Sequence, residues 1–249
     1  MTGIFITARL GSTRLSQKHL IEANGKTFIE WLIQRYACEF DTEIKNNEIK
    51  IFITSSIAPE NHKFAELLKH QNVDIFYGSD ENIPLRHLEC AEANKINKII
   101  SIDGDDILCS AKAARLVFEG LKQHEIVQTS GLPIGMNVFG YSKTILETSL
   151  RNHISKKLET GWGKIFDNYE KYNIAFVAND NEKKIRMTLD YPDDALFFKK
   201  IIQIMGDKII SISDNELINI ILEQKIYLLN THLNEQYLVN FNKLKELEN

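Results

Sequence analysis

Short apolar runs alternate with amphipathic stretches along the first half of the chain, and that alternation predicts its architecture. Five runs read as strands: residues 3–7, 49–54, 73–77, 98–102 and 125–129. Between them, residues 27–40, 60–70, 84–94 and 110–123 carry the spacing of helices. In the first of these helices Phe28, Trp31, Leu32 and Tyr36 fall on one face, which marks them as core. Strand–helix alternation predicts an α/β fold with a mainly parallel central sheet and helices on both faces. Ligands of such sheets sit beyond the carboxyl ends of the strands. The loops after Thr7, Thr54, Tyr77 and Ile102 are therefore the places to look for chemistry.

After Ser130 the pattern changes. A strand over residues 136–141 and a helix after it are expected, then a polar segment, 152–172, containing Gly161-Trp162-Gly163. Strands are expected again at 174–178 and 184–189. A helix then opens at Pro192 with Asp193 and Asp194 in its first turn, where acids complement the helix dipole. The tail from Asp214 is amphipathic and helical. With 249 residues, 43% hydrophobic and 26% charged, the chain is long enough for a full core and reads as one domain, 1–249. Within it, residues 131–180 read as an insertion for acceptor binding or dimerisation, and 213–249 as a helical tail. A net charge of −4 argues against broad nucleic-acid binding. There is no run of about 18 apolar residues to insert in a membrane. The start, MTGIFITARL, has no basic region before its apolar run and reads as a first strand, not a signal peptide. Three widely spaced cysteines, Cys38, Cys90 and Cys109, suit a reducing cytoplasm better than disulfides or a zinc knuckle.

The candidate chemistry falls at the predicted strand ends. Directly after the first strand come Arg9, Gly11, Ser12, Arg14 and Lys18. Gly11 lets backbone amides turn inward, Ser12 can donate, and three cations can surround a polyphosphate. The same residue types would also make a solvated basic loop, and they match neither a Walker A motif nor G-x-G-x-x-G. Placement at a strand's carboxyl end favours phosphate binding. Asp103, Gly104, Asp105 and Asp106 follow the strand 98–102, and Asp190 ends the expected strand 184–189. Carboxylates facing the same crevice as a triphosphate would repel it unless a Mg²⁺ ion took oxygens from both. Asp190 could alternatively cap the helix that follows it. His19, next to Lys18, reads as a surface residue within reach of a phosphate.

Taken in order, these stretches resemble a known family. Ala8-Arg9-x-Gly11-Ser12-x-Arg14-Leu15-x-x-Lys18-x-Leu20 is similar to the signature of the CMP-sugar synthetases. These are the acylneuraminate and Kdo cytidylyltransferases and, more closely, the spore-coat polysaccharide cytidylyltransferase-like branch. Where that branch has proline and glycine before the lysine, this chain has Ser16 and Gln17. Phe76-Tyr77-Gly78-Ser79-Asp80 with Leu85-Arg86 looks like the branch's next segment. Ile102-Asp103-Gly104-Asp105 looks like its metal site, with Ile107 in place of a usual proline, and Arg186–Asp194 looks like its R-x-T-x-D-x-P-E-D.

The resemblance implies a Rossmann-like nucleotidyltransferase fold with a small β/α appendage, binding CTP and Mg²⁺. It implies Asp105 and Asp190 as metal ligands, and Arg14, Lys18 and Asp105 as the catalytic residues. The nucleotide would be held by Ala8, Arg9, Leu10, Gly11, Ser12, Arg14, Lys18, Gly78, Ser79, Arg86, Asp103 and Gly104. The implied reaction transfers CMP to a small acceptor, an acidic sugar or a relative of one, and releases pyrophosphate, for surface-polysaccharide or glycan synthesis. A homodimer is common in relatives. Lys156, Lys157 and Lys164 in the divergent middle segment suit a phosphate- or phosphonate-bearing acceptor equally well, which would give a CDP-linked or CMP-phosphonate product. A nucleotide-binding protein without catalysis is the non-enzyme alternative, disfavoured by the intact set of aspartates and cations. His153-Ile154-Ser155-Lys156 stands where relatives carry an acceptor-side H-V-T-P element.

Overall fold

In the computed structural model, residues 1–12, 14–153, 157–177 and 179–246 are described. In chain order the strands are β1 (Thr2–Thr7), β2 (Glu22–Ala23), β3 (Lys26–Thr27), β4 (Ile49–Ser56), β5 (Asp74–Gly78), β6 (Lys98–Asp103), β7 (Ile126–Ser130), β8 (Phe139–Ser142) and β9 (Tyr172–Ala175). The α-helices are α1 (Phe28–Glu39), α2 (Asp41–Lys45), α3 (Lys63–Leu67), α4 (Ile83–Ala93), α5 (Ala111–Gly120), α6 (Lys143–Arg151), α7 (Pro192–Met205), α8 (Asp214–Glu223) and α9 (Asn234–Glu246).

Seven strands form one twisted sheet in the order β5-β4-β1-β6-β8-β7-β9. All pairings in it are parallel except those of β8, which runs against both β6 and β7. The fold is thus α/β and Rossmann-like, with a mostly parallel sheet flanked by helices. The central strands are apolar on both faces: Ile4, Phe5 and Ile6 of β1 are wholly buried, as a strand covered on both sides must be. The helix α1 buries Phe28, Trp31, Leu32 and Tyr36, and Thr27 and Glu30 close a reciprocal capping box at its start. The two-residue strands β2 and β3 form a separate hairpin around Asn24 and Gly25, whose φ values of 49° and 76° are those of a tight primed turn.

Four expected elements differ, the first being the strand expected at 174–178, which is β9 at Tyr172–Ala175, with residue 178 outside the described residues. The helix expected at 60–70 breaks into a 3₁₀ turn, Pro59–His62, and the short α3. The strand expected at 136–141 begins only at Phe139, because Pro133 to Gly135 (φ 83°) turn the chain first. The segment 184–189 is extended but not a sheet strand: Arg186 makes one bridge, to Ile134, and Glu182–Lys184 is a 3₁₀ turn. Its alternation is one of chemistry, not of burial: Ile185, Met187 and Leu189 join the apolar core, while Arg186, Thr188 and Asp190 between them are buried as well. The period of two separates apolar from polar surroundings inside the protein and records no ladder pairing. Among the described residues no helix is long and apolar enough to cross a membrane.

Candidate active site

The carboxyl ends of β1 and β6 and the segment before α7 surround a cleft of about 730 Å³. Beyond Thr7 the chain is clipped down at two points. The Ala8 amide donates to the Thr54 carbonyl (3.3 Å), and the Leu10 amide donates to Asn61 Oδ1 (2.7 Å). Asn61 is itself buried and donates to Ser56 at the end of β4 (3.1 Å). Leu10 packs into the core and anchors the loop, while Ala8, Arg9, Gly11, Ser12, Arg14 and Lys18 line the cleft. Gln17, standing where relatives have glycine, adopts φ 50°. The loop makes a left-handed turn there despite the steric penalty of a side chain.

Gly104 is where the two loops touch. Its amide donates to the Thr7 carbonyl (2.8 Å), and a β-carbon there would lie 2.6 Å from that oxygen. This close approach aims Asp103 and Asp105 into the same cleft as the cations. One backbone bond brings in the third segment: the Leu189 amide donates to the Asp105 carbonyl (2.9 Å), which sets Asp190 beside Asp105.

The charges converge on Lys18. Its ammonium, almost wholly buried, donates to Asp105 Oδ2 and lies 3.8 Å from Asp190 Oδ1. Burial disfavours the charged amine, yet Asp105 and Asp190 outweigh it and hold its pKa above the ordinary lysine value. Arg14 donates to Asp190 at 2.6 Å and lies over the Tyr191 ring, 5.4 Å from its centroid. Arg9 pairs with Glu159. Asp103, walled by protein yet open to the cleft, has a carboxyl raised to about 7, by burial first and then by Asp105. Asp190 is not the cap of α7; that position is Tyr191, and Asp194 accepts the Asp190 and Tyr191 amides (2.9 and 3.0 Å).

These residues fit a hard divalent cation. The donors are carboxylate oxygens, and Asp105 and Asp190 both reach the Lys18 ammonium in one cleft, close enough together to share a cation. Among the described residues no three acidic, histidine or cysteine side chains converge on one point. A site of two carboxylates completed by phosphate oxygens is the form Mg²⁺ usually takes with nucleotides.

Gly78 and Ser79 stand one step behind the cleft. The Ser79 carbonyl accepts from Arg86 Nε (2.8 Å), so this turn positions Arg86, which does line the cleft. His19 is a correction. It is buried, not on the surface, against Phe64, 3.5 Å from Asp105 Oδ1. Its pKa falls to about 3, through burial and then Lys18. Sequence reasoning missed Thr7, Glu159, Thr188 and the α9 residues Tyr237, Asn240 and Phe241, all of which line the cleft. Only the fold shows that the tail returns to it.

A second cavity of about 430 Å³ adjoins the first and is lined by Gln128, Asn137, Phe139, Trp162, Lys164 and Lys171, among others. Trp162 packs on Phe139, Tyr141 and Phe166 and edges onto His87. Lys157 lines the first cavity. His153 is not among the lining residues of either cavity; residues 154–156, including Lys156, lie outside the described residues.

Beneath the cleft, buried His87 joins the two cavities to the core. Its Nε2 is 2.8 Å from Thr7 Oγ1 and its Nδ1 is 2.6 Å from the Tyr141 hydroxyl. Burial, then Arg86, lowers its pKa to about 3 from 6.5. The unfolded chain therefore takes up this proton first as pH falls. Stability is full above about pH 6.5 and is lost progressively toward the folded value, by an order of a few kcal/mol. His87→Gln is expected to flatten the fall in Tm between about pH 6.5 and about pH 4. Superimposable Tm–pH curves for the two proteins would show that His87 carries none of it.

A family model described as Cytidylyltransferase matches residues 4–227. An uncharacterised protein of Methanocaldococcus jannaschii is 24% identical over 192 residues, covering 74% of this chain and 76% of its own. A cytidylyltransferase structure from Leptospira borgpetersenii superposes with a TM-score of 0.79 at 20% identity, covering 92% of this chain and 97% of that one. A CMP:2-keto-3-deoxy-manno-octonic acid synthetase complexed with CTP superposes at 0.58 with 13% identity, covering 83% and 99%.

Proposed function

The chain belongs to the cytidylyltransferase family, and from that premise we propose that it transfers CMP from CTP to an acidic sugar or related acceptor, releasing pyrophosphate. The observation that carries the proposal is the meeting of Arg14 and Lys18 with Asp105 and Asp190 in one cleft at the sheet's carboxyl edge. Asp105 and Asp190 would hold Mg²⁺, which when bound supplies charge neutralisation at the phosphates. The rest of the work falls to the chain. Arg9, Ser12 and the backbone of the 8–12 loop bind the triphosphate. Arg14 and Lys18 exchange their carboxylate partners for phosphate oxygens and stabilise the charge that develops on departing pyrophosphate. No enzyme nucleophile is required, because in-line transfer of this kind rests on positioning and charge.

The second cavity suits the acceptor. Gln128 lines it with a polar side chain, Trp162 and Phe139 with apolar faces and Lys164 with a positive charge, while Asn137 is held on the Leu132 backbone and Lys171 on Asp167. Lys164 also supports a second reading, an acceptor bearing a phosphate or phosphonate.

Pyrophosphate release from the four nucleoside triphosphates, with and without Mg²⁺, tests the proposal against nonulosonic acids, sugar phosphates, polyol phosphates and phosphonates. Release confined to CTP, dependent on Mg²⁺ and on an acidic acceptor, is expected. Absence of release with every pair would leave only a nucleotide-binding role.

A further inference from the structure

The last helix, α9, begins beyond residue 227, where the family match ends. It is nevertheless fastened to the candidate site. The Tyr237 ring lies 4.3 Å from the Arg186 guanidinium, and the Asn240 side chain donates to the Tyr191 hydroxyl at 2.8 Å. The residues between point the other way: Leu238 and Val239 are 50% and 67% exposed. Tyr237, Asn240 and Phe241 thus share one helical face, and that face is a wall of the larger cavity. Phe241 also lines the second cavity. It belongs to a small set, with Thr7, Ile83, Asp103, Thr160 and Trp162, at the junction of the two spaces.

If CTP occupies the first cavity and the acceptor the second, bond exchange must occur at that junction. There an acceptor oxygen forms its bond to the α-phosphorus, and the bond from that phosphorus to the bridging oxygen breaks. Pyrophosphate leaves with the electron pair. Water at the same point would complete the same exchange and waste CTP as CMP and pyrophosphate. A phenyl ring neither binds phosphate nor moves a proton, so at this point it acts by occupying space that water would fill. We infer that Phe241 is a positioning residue of the C-terminal helix that, with Trp162, walls the junction of the two cavities and directs the α-phosphate to the acceptor instead of water. This inference rests on the proposed function.

The test has two arms. Of the two tryptophans, Trp31 is buried in the core, so acrylamide quenching reports Trp162. In Phe241→Ala, quenching of Trp162 is expected to rise about twofold, and acceptor-free conversion of CTP to CMP and pyrophosphate about tenfold, as a breached barrier to water requires. Val239→Ala, on the exposed face, should change neither. Unaltered quenching in Phe241→Ala would overturn the inference, as would increased quenching without increased hydrolysis. A wild-type protein that turns over no CTP with any acceptor would instead overturn the functional reading and this inference with it. The quenching arm, read without nucleotide, would still say whether α9 covers the junction.

Discussion

Asp105→Asn is expected to lower CTP turnover about a hundredfold to a thousandfold, the cost of losing one charge-stabilising group aimed at a reacting phosphate. The substitution keeps the shape of the side chain and removes its charge. Asp105 is partly open to the cleft, with its carboxylate on Lys18 and near His19, and its carbonyl, which holds the Leu189 amide, is untouched. Lys18 keeps Asp190 at 3.8 Å, so its buried ammonium is not left without an opposite charge. The fold should therefore survive with little change in Tm. The loss should appear in kcat and in the Mg²⁺ concentration needed for half-maximal rate, more than in KM for CTP. Steady-state pyrophosphate release across a Mg²⁺ titration measures both. Near-normal kcat at ordinary Mg²⁺ would remove Asp105 from the metal site.

How much of this was legible beforehand follows from what periodicity and charge can encode. The parallel half of the sheet, β1 with β4, β5 and β6, was readable because each buried strand is an apolar run bounded by a helix. The antiparallel β8 between β6 and β7 was not, since a strand's direction leaves no mark on its own residues. The cations of residues 9–18 and the acids of 103–106 were visible as clusters. That Leu189 would bond to Asp105 and draw Asp190 to Lys18 depends on one long-range backbone contact with no sequence signature. His19 reads as a surface residue because it follows Lys18 in a basic loop, whereas the turn at Gln17 places it against Phe64. In α9, Tyr237 and Phe241 show helical spacing, but spacing alone does not say which surface a tail will reach.

The largest expected effect on stability belongs to Arg186, which the sequence marks only as the first residue of the R-x-T-x-D-x-P-E-D match. The side chain is wholly buried and holds three carboxylate contacts: Nε to Asp194 Oδ1 at 3.0 Å, and Nη2 to Asp190 Oδ2 and Asp194 Oδ2 at 2.9 and 3.3 Å. Asp194 in turn accepts the Asn230 amide at 2.9 Å and the two backbone amides that start α7. Tyr237 covers the guanidinium face. Arg186→Met fills much of the volume but strands a fully buried Asp194. Removing one partner of a buried ion pair costs about 3–5 kcal/mol, mostly for the charge left behind. The double variant Arg186→Met with Asp194→Asn removes that stranded charge while an amide oxygen can still accept from α7. It should therefore be less destabilised than the sum of the two single changes, by about 1–3 kcal/mol. Urea unfolding of the four proteins of this cycle measures the coupling. Additive losses would mean that Arg186 serves by packing alone. Activity should fall in Arg186→Met for a related reason, because Asp190 keeps Arg14 and Lys18 but loses the only fixed cation behind it among the described residues. A carboxylate pulled wholly toward the phosphate-loop cations is less able to release them to CTP. That loss should appear as a raised KM for CTP, measured at a temperature where both proteins are folded.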